Sequence, residues 1–143
     1  MNEFDQFIKH KLKVEHYARY TDDFIIISRD SKYLEDLIGQ IQIFLGKRLA
    51  LGLHPGKVNV LKYTRGIDFL GHVIFPHYRV IRKRTWKRIL RNLENKVNEY
   101  KNGLISKDTL DQTFQSYLGI LSHGNNHKLI EHLKNQFWFW LNK

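Results

Sequence analysis

The sequence predicts an α+β fold in which antiparallel β-hairpins with packed helices precede a basic three-helix bundle. Short runs of aromatic and β-branched residues alternate with turn residues in the first half, which is typical of hairpins. Apolar residues recur every three or four positions from residue 82 onward, which is typical of amphipathic helices. The chain has 143 residues, of which 42% are hydrophobic, and this is enough to bury a core. We therefore expect two domains, residues 1–80 and 81–143.

The first region combines two helices with a hairpin. Residues 2–13 place their apolar side chains on one helical stripe. Residues 16–20 and 24–28 are the expected arms of a hairpin whose tip is Thr21-Asp22-Asp23. The second arm is apolar on both faces, which predicts that helices cover at least part of the sheet. Ser31 is expected to cap the second helix.

Two further strands and three helices follow. Residues 57–63 and 67–75 are expected to pair as a second hairpin across Thr64-Arg65-Gly66. The three helices are predicted over residues 84–100, 108–121 and 128–141. Ser106 is the expected N-cap of the middle helix.

Composition excludes several classes of protein. The sequence contains no cysteine, which excludes disulfide scaffolds, thiolate metal sites and cysteine nucleophiles. Its longest apolar stretches are far shorter than the roughly 18–20 residues that a membrane-spanning helix needs. The N-terminus is acidic and polar, unlike a secretory signal. We therefore expect a cytoplasmic protein with no membrane partner.

The chain is strongly basic, and the charge is concentrated. Its 24 Lys and Arg against 14 Asp and Glu give a net charge of +10. Residues 79–101 hold nine basic residues and two acids. Because the apolar residues of this segment define one buried helical face, the basic residues must lie on the solvated side. A solvated face can be basic by chance, but a local excess that coincides with the global one favours a nucleic acid over an acidic membrane or protein.

Asp22 and Asp23 are adjacent carboxylates at a hairpin tip. Neighbouring anions repel each other, which favours a bound cation. Mg²⁺, with Mn²⁺ as a substitute, accepts hard oxygen ligands and commonly uses only one or two protein carboxylates. An Asp-Asp pair is also ordinary turn chemistry, but the strand, the Tyr-X-Asp-Asp tip and the apolar return strand form a much rarer combination.

These residues resemble a known family. The segment YARYTDDFII at residues 17–26 resembles the metal-binding Tyr-X-Asp-Asp motif of reverse transcriptases, in the form found in bacterial group II introns, retrons and diversity-generating elements. The segment LGLHPGK at 51–57 resembles the family's next motif, and GIDFLGH at 66–72 resembles the hairpin that grips the primer. The resemblance covers essentially the whole chain, with residues 1–80 as the end of a palm and 81–143 as a thumb-like domain.

The resemblance assigns roles to single residues. It implies that Asp22 and Asp23 are catalytic metal ligands and that Tyr20 lies beside the primer terminus. It implies that Lys57 faces the nucleotide phosphates as a catalytic proton donor, although a Lys after a Pro-Gly loop is also typical of a solvated strand start. The remaining residues implied to contact nucleic acid are Phe69, Leu70 and Gly71 of the primer grip and Arg82, Arg84, Lys87, Arg88 and Arg91 of the thumb-like domain.

A complete reverse transcriptase also needs fingers and a third carboxylate on an earlier palm strand, and neither precedes Asp22 in this sequence. The sequence is therefore expected to be the C-terminal portion of an RNA-directed DNA polymerase that does not polymerise alone. Its expected partners are an RNA template and a DNA primer, with deoxynucleoside triphosphates bound only together with the missing N-terminal half. The alternatives are a non-catalytic, maturase-like nucleic-acid-binding module and a basic structural domain.

Overall fold

The computed structural model of the protein describes residues 2–143. The chain forms two compact units that divide between Leu61 and Lys62. We refer to them as unit 1 and unit 2. The fold is mixed, with five α-helices and two small antiparallel sheets within the described residues, as the sequence predicts. The predicted division between residues 80 and 81 falls inside unit 2, which begins at Lys62.

Unit 1 contains a two-stranded sheet and two helices. The elements are α1 (Asn2–Gln6), which continues as a π-helical turn (Phe7–Lys11), β1 (His16–Tyr20), β2 (Asp23–Ile27) and α2 (Ser31–Phe44), which continues as a second π-helical turn (Leu45–Leu49). The predicted helices and the first hairpin are confirmed. The N-cap of α2, however, is Asp30 rather than Ser31. Its carboxylate accepts hydrogen bonds from the amides of Lys32 and Tyr33, at 2.9 and 3.2 Å.

One face of the β1–β2 hairpin packs against the core of unit 1. This core consists of Phe4, Ile8, Val14, Leu37, Ile41 and Leu45. The hairpin adds Tyr17, Phe24 and Ile26 from one face. On the opposite face Tyr20 and Ile27 are each more than half exposed. The predicted helical cover is therefore confirmed for one face only, because within residues 2–61 the helices pack on a single side of the sheet.

The second predicted hairpin is wrong, because its first arm is not a strand and its second arm forms two strands. The structure has β3 (Ile67–Phe69), β4 (His72–Ile74) and β5 (Arg79–Ile81) in one antiparallel sheet. Residues 57–63 form no strand; a turn ends at Lys57, and a 3₁₀ turn occupies Tyr63–Arg65. The reversal falls instead at Leu70-Gly71, where both residues have positive φ, as a type I′ turn requires.

The three predicted helices of unit 2 are confirmed. They are α3 (Lys83–Lys101), α4 (Lys107–Ser122) and α5 (His127–Asn142). Ser106 caps α4, as expected, by accepting a hydrogen bond from the Thr109 amide at 3.2 Å. The buried core of the unit consists of Ile81, Ile89, Leu93, Val97, Leu110, Phe114, Leu121, Leu133 and Phe137. None of the helices within residues 2–143 combines the length and apolarity needed to cross a membrane.

A buried asparagine joins the sheet of unit 2 to its helices. Asn126 is 2% exposed. Its side-chain oxygen accepts a hydrogen bond from the Ile81 amide at 3.0 Å, and its amide nitrogen donates to the Leu121 carbonyl at 2.9 Å. The Asn125 amide also donates to the Arg79 carbonyl at 2.8 Å. These bonds fix β5, and with it the start of α3, against the end of α4 and the start of α5.

Candidate functional site

The turn of the β1–β2 hairpin exposes both predicted metal ligands. Tyr20 pairs with Asp23 at the end of the ladder, so Thr21 and Asp22 alone form the turn. Asp22 and Asp23 are both exposed, and neither forms an ion pair with another residue of the described chain. Asp23 lies on the open face of the hairpin together with Tyr20, which is 59% exposed. The structure therefore brings Tyr20, Asp22 and Asp23 together at one solvent-accessible tip.

Arg19 connects this turn to α1. Its Nε and Nη2 donate to the two carboxylate oxygens of Asp5, at 2.7 and 2.5 Å, and its Nη1 donates to the Thr21 carbonyl at 2.8 Å. The Tyr17 hydroxyl also donates to Asp5, at 2.7 Å. The hydrogen bond from Arg19 is the main cause that lowers the pKa of Asp5 to about 2. Burial and the Asp5 carboxylate raise the pKa of Tyr17 above its ordinary value.

The hairpin tip suits Mg²⁺ in chemistry but supplies only part of a site. Two adjacent carboxylates are typical hard oxygen ligands for this ion, which fills its remaining positions with water and phosphate oxygens. No group of three or more potential metal-ligating side chains occurs within residues 2–143. Asp5, which is also in unit 1, is committed to Arg19 and Tyr17. Asp22 and Asp23 could thus hold a cation only in combination with ligands from elsewhere.

Lys57 lies in a turn of the loop that follows α2. Its amide donates to the His54 carbonyl at 2.9 Å, and its residue is exposed. It does not begin a strand, contrary to the sequence prediction, and among the described residues it forms no ion pair with Asp22 or Asp23. Its implied role as a proton donor stays a prediction.

The predicted primer-grip residues form the tip of the β3–β4 hairpin. Leu70 is half exposed, and Phe69 is partly buried. The Gly71 carbonyl accepts a hydrogen bond from the Arg82 amide at 2.9 Å, which holds the tip against the residue that precedes α3. Gly71 has a φ of 82°, which favours glycine at this position. The structure therefore links the hairpin tip directly to the start of the basic helix.

The exposed side of α3 carries the predicted nucleic-acid contacts. We define the basic face as Arg84, Lys87, Arg88 and Arg91, all of which are exposed. Arg82 lies just before them, and its guanidinium pairs with Asp68 at 2.7 Å. The positive end of a helix dipole disfavours cations. The first turn of α3 nevertheless begins with Lys83 and Arg84 and has no acidic residue. A bound anion would relieve this repulsion.

Sequence reasoning missed the roles of Asp5, Tyr17 and Arg19. Tyr17 and Arg19 alternate along β1 and therefore share a face of the sheet with the core residue Phe24. A charged residue on the packed face of a sheet needs a partner of opposite charge, and this pattern indicates a nearby carboxylate. It did not identify which carboxylate, because Asp5 is 14 residues from Arg19 along the chain.

Comparison of the sequence with protein-family models and with curated proteins finds no match.

Proposed function

We propose that the protein is the C-terminal part of an RNA-directed DNA polymerase related to the bacterial reverse transcriptases. The observation that carries this proposal is the tip of the β1–β2 hairpin, where Asp22 and Asp23 are both exposed and free of ion pairs with the rest of the described chain. Two adjacent carboxylates that no cation of the described chain neutralises repel each other, which favours a bound cation. An unpaired and accessible carboxylate pair is what a metal-dependent nucleotidyl transfer requires.

In this function the residues of the tip hold and orient the reacting groups. Bound Mg²⁺ supplies activation of the attacking hydroxyl and stabilisation of the leaving pyrophosphate. Asp22 and Asp23 provide two of the oxygen ligands, and Tyr20 offers an exposed aromatic ring next to them, where a primer end can pack. The third carboxylate and the nucleotide-binding fingers come from a preceding segment or from a partner chain.

Unit 2 supplies the surface that holds the template–primer. The Gly71 carbonyl accepts a hydrogen bond from the Arg82 amide just before α3, so the apolar tip and the basic face are connected within unit 2. Cations that track a phosphate backbone dominate the affinity of a protein for nucleic acid. The basic face of α3 therefore positions the duplex, and the Leu70 tip contacts it through apolar atoms.

A non-catalytic nucleic-acid-binding module is the second candidate, and the basic face of α3 is the observation that favours it. Both candidates predict binding of an RNA–DNA hybrid. They differ in the role of Asp22 and Asp23, which matter only for the polymerase.

The two candidates are separated by the double variant Asp22→Asn and Asp23→Asn. In an enzyme reconstituted with the fingers and the first palm strand, this variant should bind an RNA–DNA hybrid like the wild type but add no nucleotide to the primer. Retained primer extension would refute the metal-ligand assignment. If neither the coding sequence upstream of Met1 nor a partner chain supplies an Asp-bearing palm strand, the catalytic proposal fails and the binding module remains.

A further inference from the structure

The side chain of Arg19 uses all three of its nitrogen atoms inside unit 1. Nε and Nη2 bind the two oxygens of Asp5, and Nη1 binds the carbonyl of Thr21 in the turn. The side chains of Arg19 and Asp5 are 20% and 27% exposed. The Tyr17 hydroxyl adds a further hydrogen bond to Asp5. Three hydrogen bonds therefore hold the guanidinium, and one of their acceptors is a backbone oxygen of the turn.

The turn needs such support for two reasons. A lone two-stranded hairpin is marginally stable in water, and within residues 2–61 no third strand pairs with β1 or β2. Thr21 also has a φ of 51°, a left-handed conformation that is strained for a β-branched residue. The chain would relax this strain if the turn were free to move.

The Thr21 carbonyl belongs to the peptide plane that links Thr21 to Asp22. A hydrogen bond to this oxygen therefore fixes the orientation of the plane from which the Asp22 side chain projects. Arginine can bind a carboxylate with two nitrogens and still donate a third hydrogen bond in a fixed direction. Lysine carries a single rotatable nitrogen and cannot reproduce both contacts with the same geometry.

We propose that Arg19 is a positioning residue that is held by Asp5 and orients the Asp22–Asp23 tip for metal binding. This inference rests on the proposed function for its metal-binding part. Its geometric part, that Arg19 sets the conformation of the turn, stands independently of that function. Arg19 does not touch the metal or the substrate itself; it acts through the backbone of Thr21.

The test uses the full chain labelled with ¹⁵N, and Mn²⁺ alone as the probe. Two NMR readouts are recorded: the coupling between the amide and Hα protons of Thr21, which reports φ, and the paramagnetic broadening of the Asp22 and Asp23 amides as Mn²⁺ is added. The variants are Arg19→Met, Arg19→Lys and Asp5→Asn. The control is Lys96→Met, which removes an ion pair of α3 whose two side chains are 38% and 37% exposed.

Arg19→Met and Asp5→Asn are expected to change the Thr21 coupling. They should also lower the affinity of the tip for Mn²⁺, read from the broadening, by about tenfold, which corresponds to the loss of one charge-assisted hydrogen bond. Arg19→Lys should restore folding stability without restoring the Thr21 coupling, because lysine cannot reproduce both contacts of the guanidinium. If Arg19 were only a structural cation, Arg19→Lys would restore both. The control should change neither readout. If Arg19→Met does not fold, Asp5→Asn and Arg19→Lys decide the question.

A wild-type Thr21 coupling in both Arg19→Lys and Asp5→Asn would overturn the proposal. The metal-ligand assignment is checked separately in the wild-type background with Asp22→Asn and Asp23→Asn. If these two variants leave Mn²⁺ broadening unchanged, the proposed function fails at the metal site. The Thr21 coupling then still decides whether Arg19 sets the turn.

Discussion

Neutralising the basic face of α3 is expected to remove most of the salt dependence of nucleic-acid binding by unit 2. The variant replaces Arg84, Lys87, Arg88 and Arg91 with glutamine, which keeps helix propensity nearly unchanged. From residue 84 to residue 91 the helix rises about 10 Å. One DNA strand presents a phosphate about every 3.4 Å of helix axis, so the basic face reaches about three phosphates.

The expected magnitude follows from the release of counterions. Each phosphate neutralised contributes about 0.9 to the slope of log affinity against log salt for a duplex, and three contribute about 2.7. Between 50 and 200 mM salt the wild-type protein should therefore lose about 40-fold more affinity than the variant. The measurement is a fluorescence-anisotropy titration of an RNA–DNA hybrid at four or more salt concentrations.

The matched control removes four other exposed cations of unit 2, Lys101, Lys107, Lys128 and Lys143. It changes the net charge by the same amount, so a purely nonspecific charge effect would lower both slopes equally. Circular dichroism confirms that both variants keep their helices. A wild-type slope in the basic-face variant, or an equal loss in the control, would refute the assignment of this face to nucleic acid.

Three further predictions concern stability and the hairpin tips. The pKa of Asp5 is lowered in the folded state from 3.8 to about 2, so its charged form should stabilise unit 1 fully above pH 3.8. This contribution, about 1 kcal/mol after solvent screening, should be lost as the pH falls toward 2. Acid unfolding curves of Asp5→Asn should lack it. Asn126→Ala should destabilise unit 2 by about 3 kcal/mol in urea unfolding, since it leaves two backbone groups without their hydrogen-bond partner; a loss below about 0.5 kcal/mol would contradict this. Leu70→Asn should stabilise the β3–β4 hairpin by up to about 1 kcal/mol, because Asn-Gly favours a type I′ turn. The same variant should weaken binding of the RNA–DNA hybrid, because it removes the apolar tip. Unchanged hybrid binding would refute a contact between Leu70 and the nucleic acid.

The helices of unit 2 could be predicted from the sequence because their signal is local. Ile89, Leu93 and Val97 recur every four residues and are all buried in the structure, since an amphipathic helix buries one face whatever it packs against. Capping is also local, and Ser106 was identified from its position alone. The sequence does not distinguish Asp30 from Ser31 as the N-cap of α2, because both residue types are good caps.

The second hairpin could not be predicted in the same way. Gly66 and Gly71 can each take the positive φ that a reversal needs, so the sequence offers two reversal points. In the structure both have a φ of 82°. Only the packed structure separates them: a Cβ at Gly66 would lie 2.7 Å from the side chain of Val73, which shows that Gly66 allows close packing, whereas Gly71 completes the turn. Residues 57–63 contain short apolar alternation, which does not distinguish a strand from an extended loop without a pairing partner.

The candidate site also combines residues that the sequence predicts locally with contacts that it does not predict. The tip residues Asp22 and Asp23 could be found because a turn and its flanking strands are contiguous in sequence. Their support could not be found, because Asp5 binds Arg19 across 14 residues, and α1 carries a second carboxylate, Glu3, that could serve. Local sequence therefore identifies the chemistry of a hairpin tip, while the contacts that hold the tip depend on how the helix docks.

The two hairpin tips share a physical feature that bears on the proposed function. Thr21 and Leu70, at φ of 51° and 50°, occupy a conformation that costs about 1–3 kcal/mol for residues other than glycine. A glycine or an asparagine at either position would avoid most of that cost. Each strained turn is instead tied by a hydrogen bond to an arginine, through the side chain of Arg19 in unit 1 and the backbone amide of Arg82 in unit 2. Such bonds hold a tip in place at the expense of local relaxation, which is useful where the position of the tip atoms matters, as it does for metal ligands and for a surface that grips a primer.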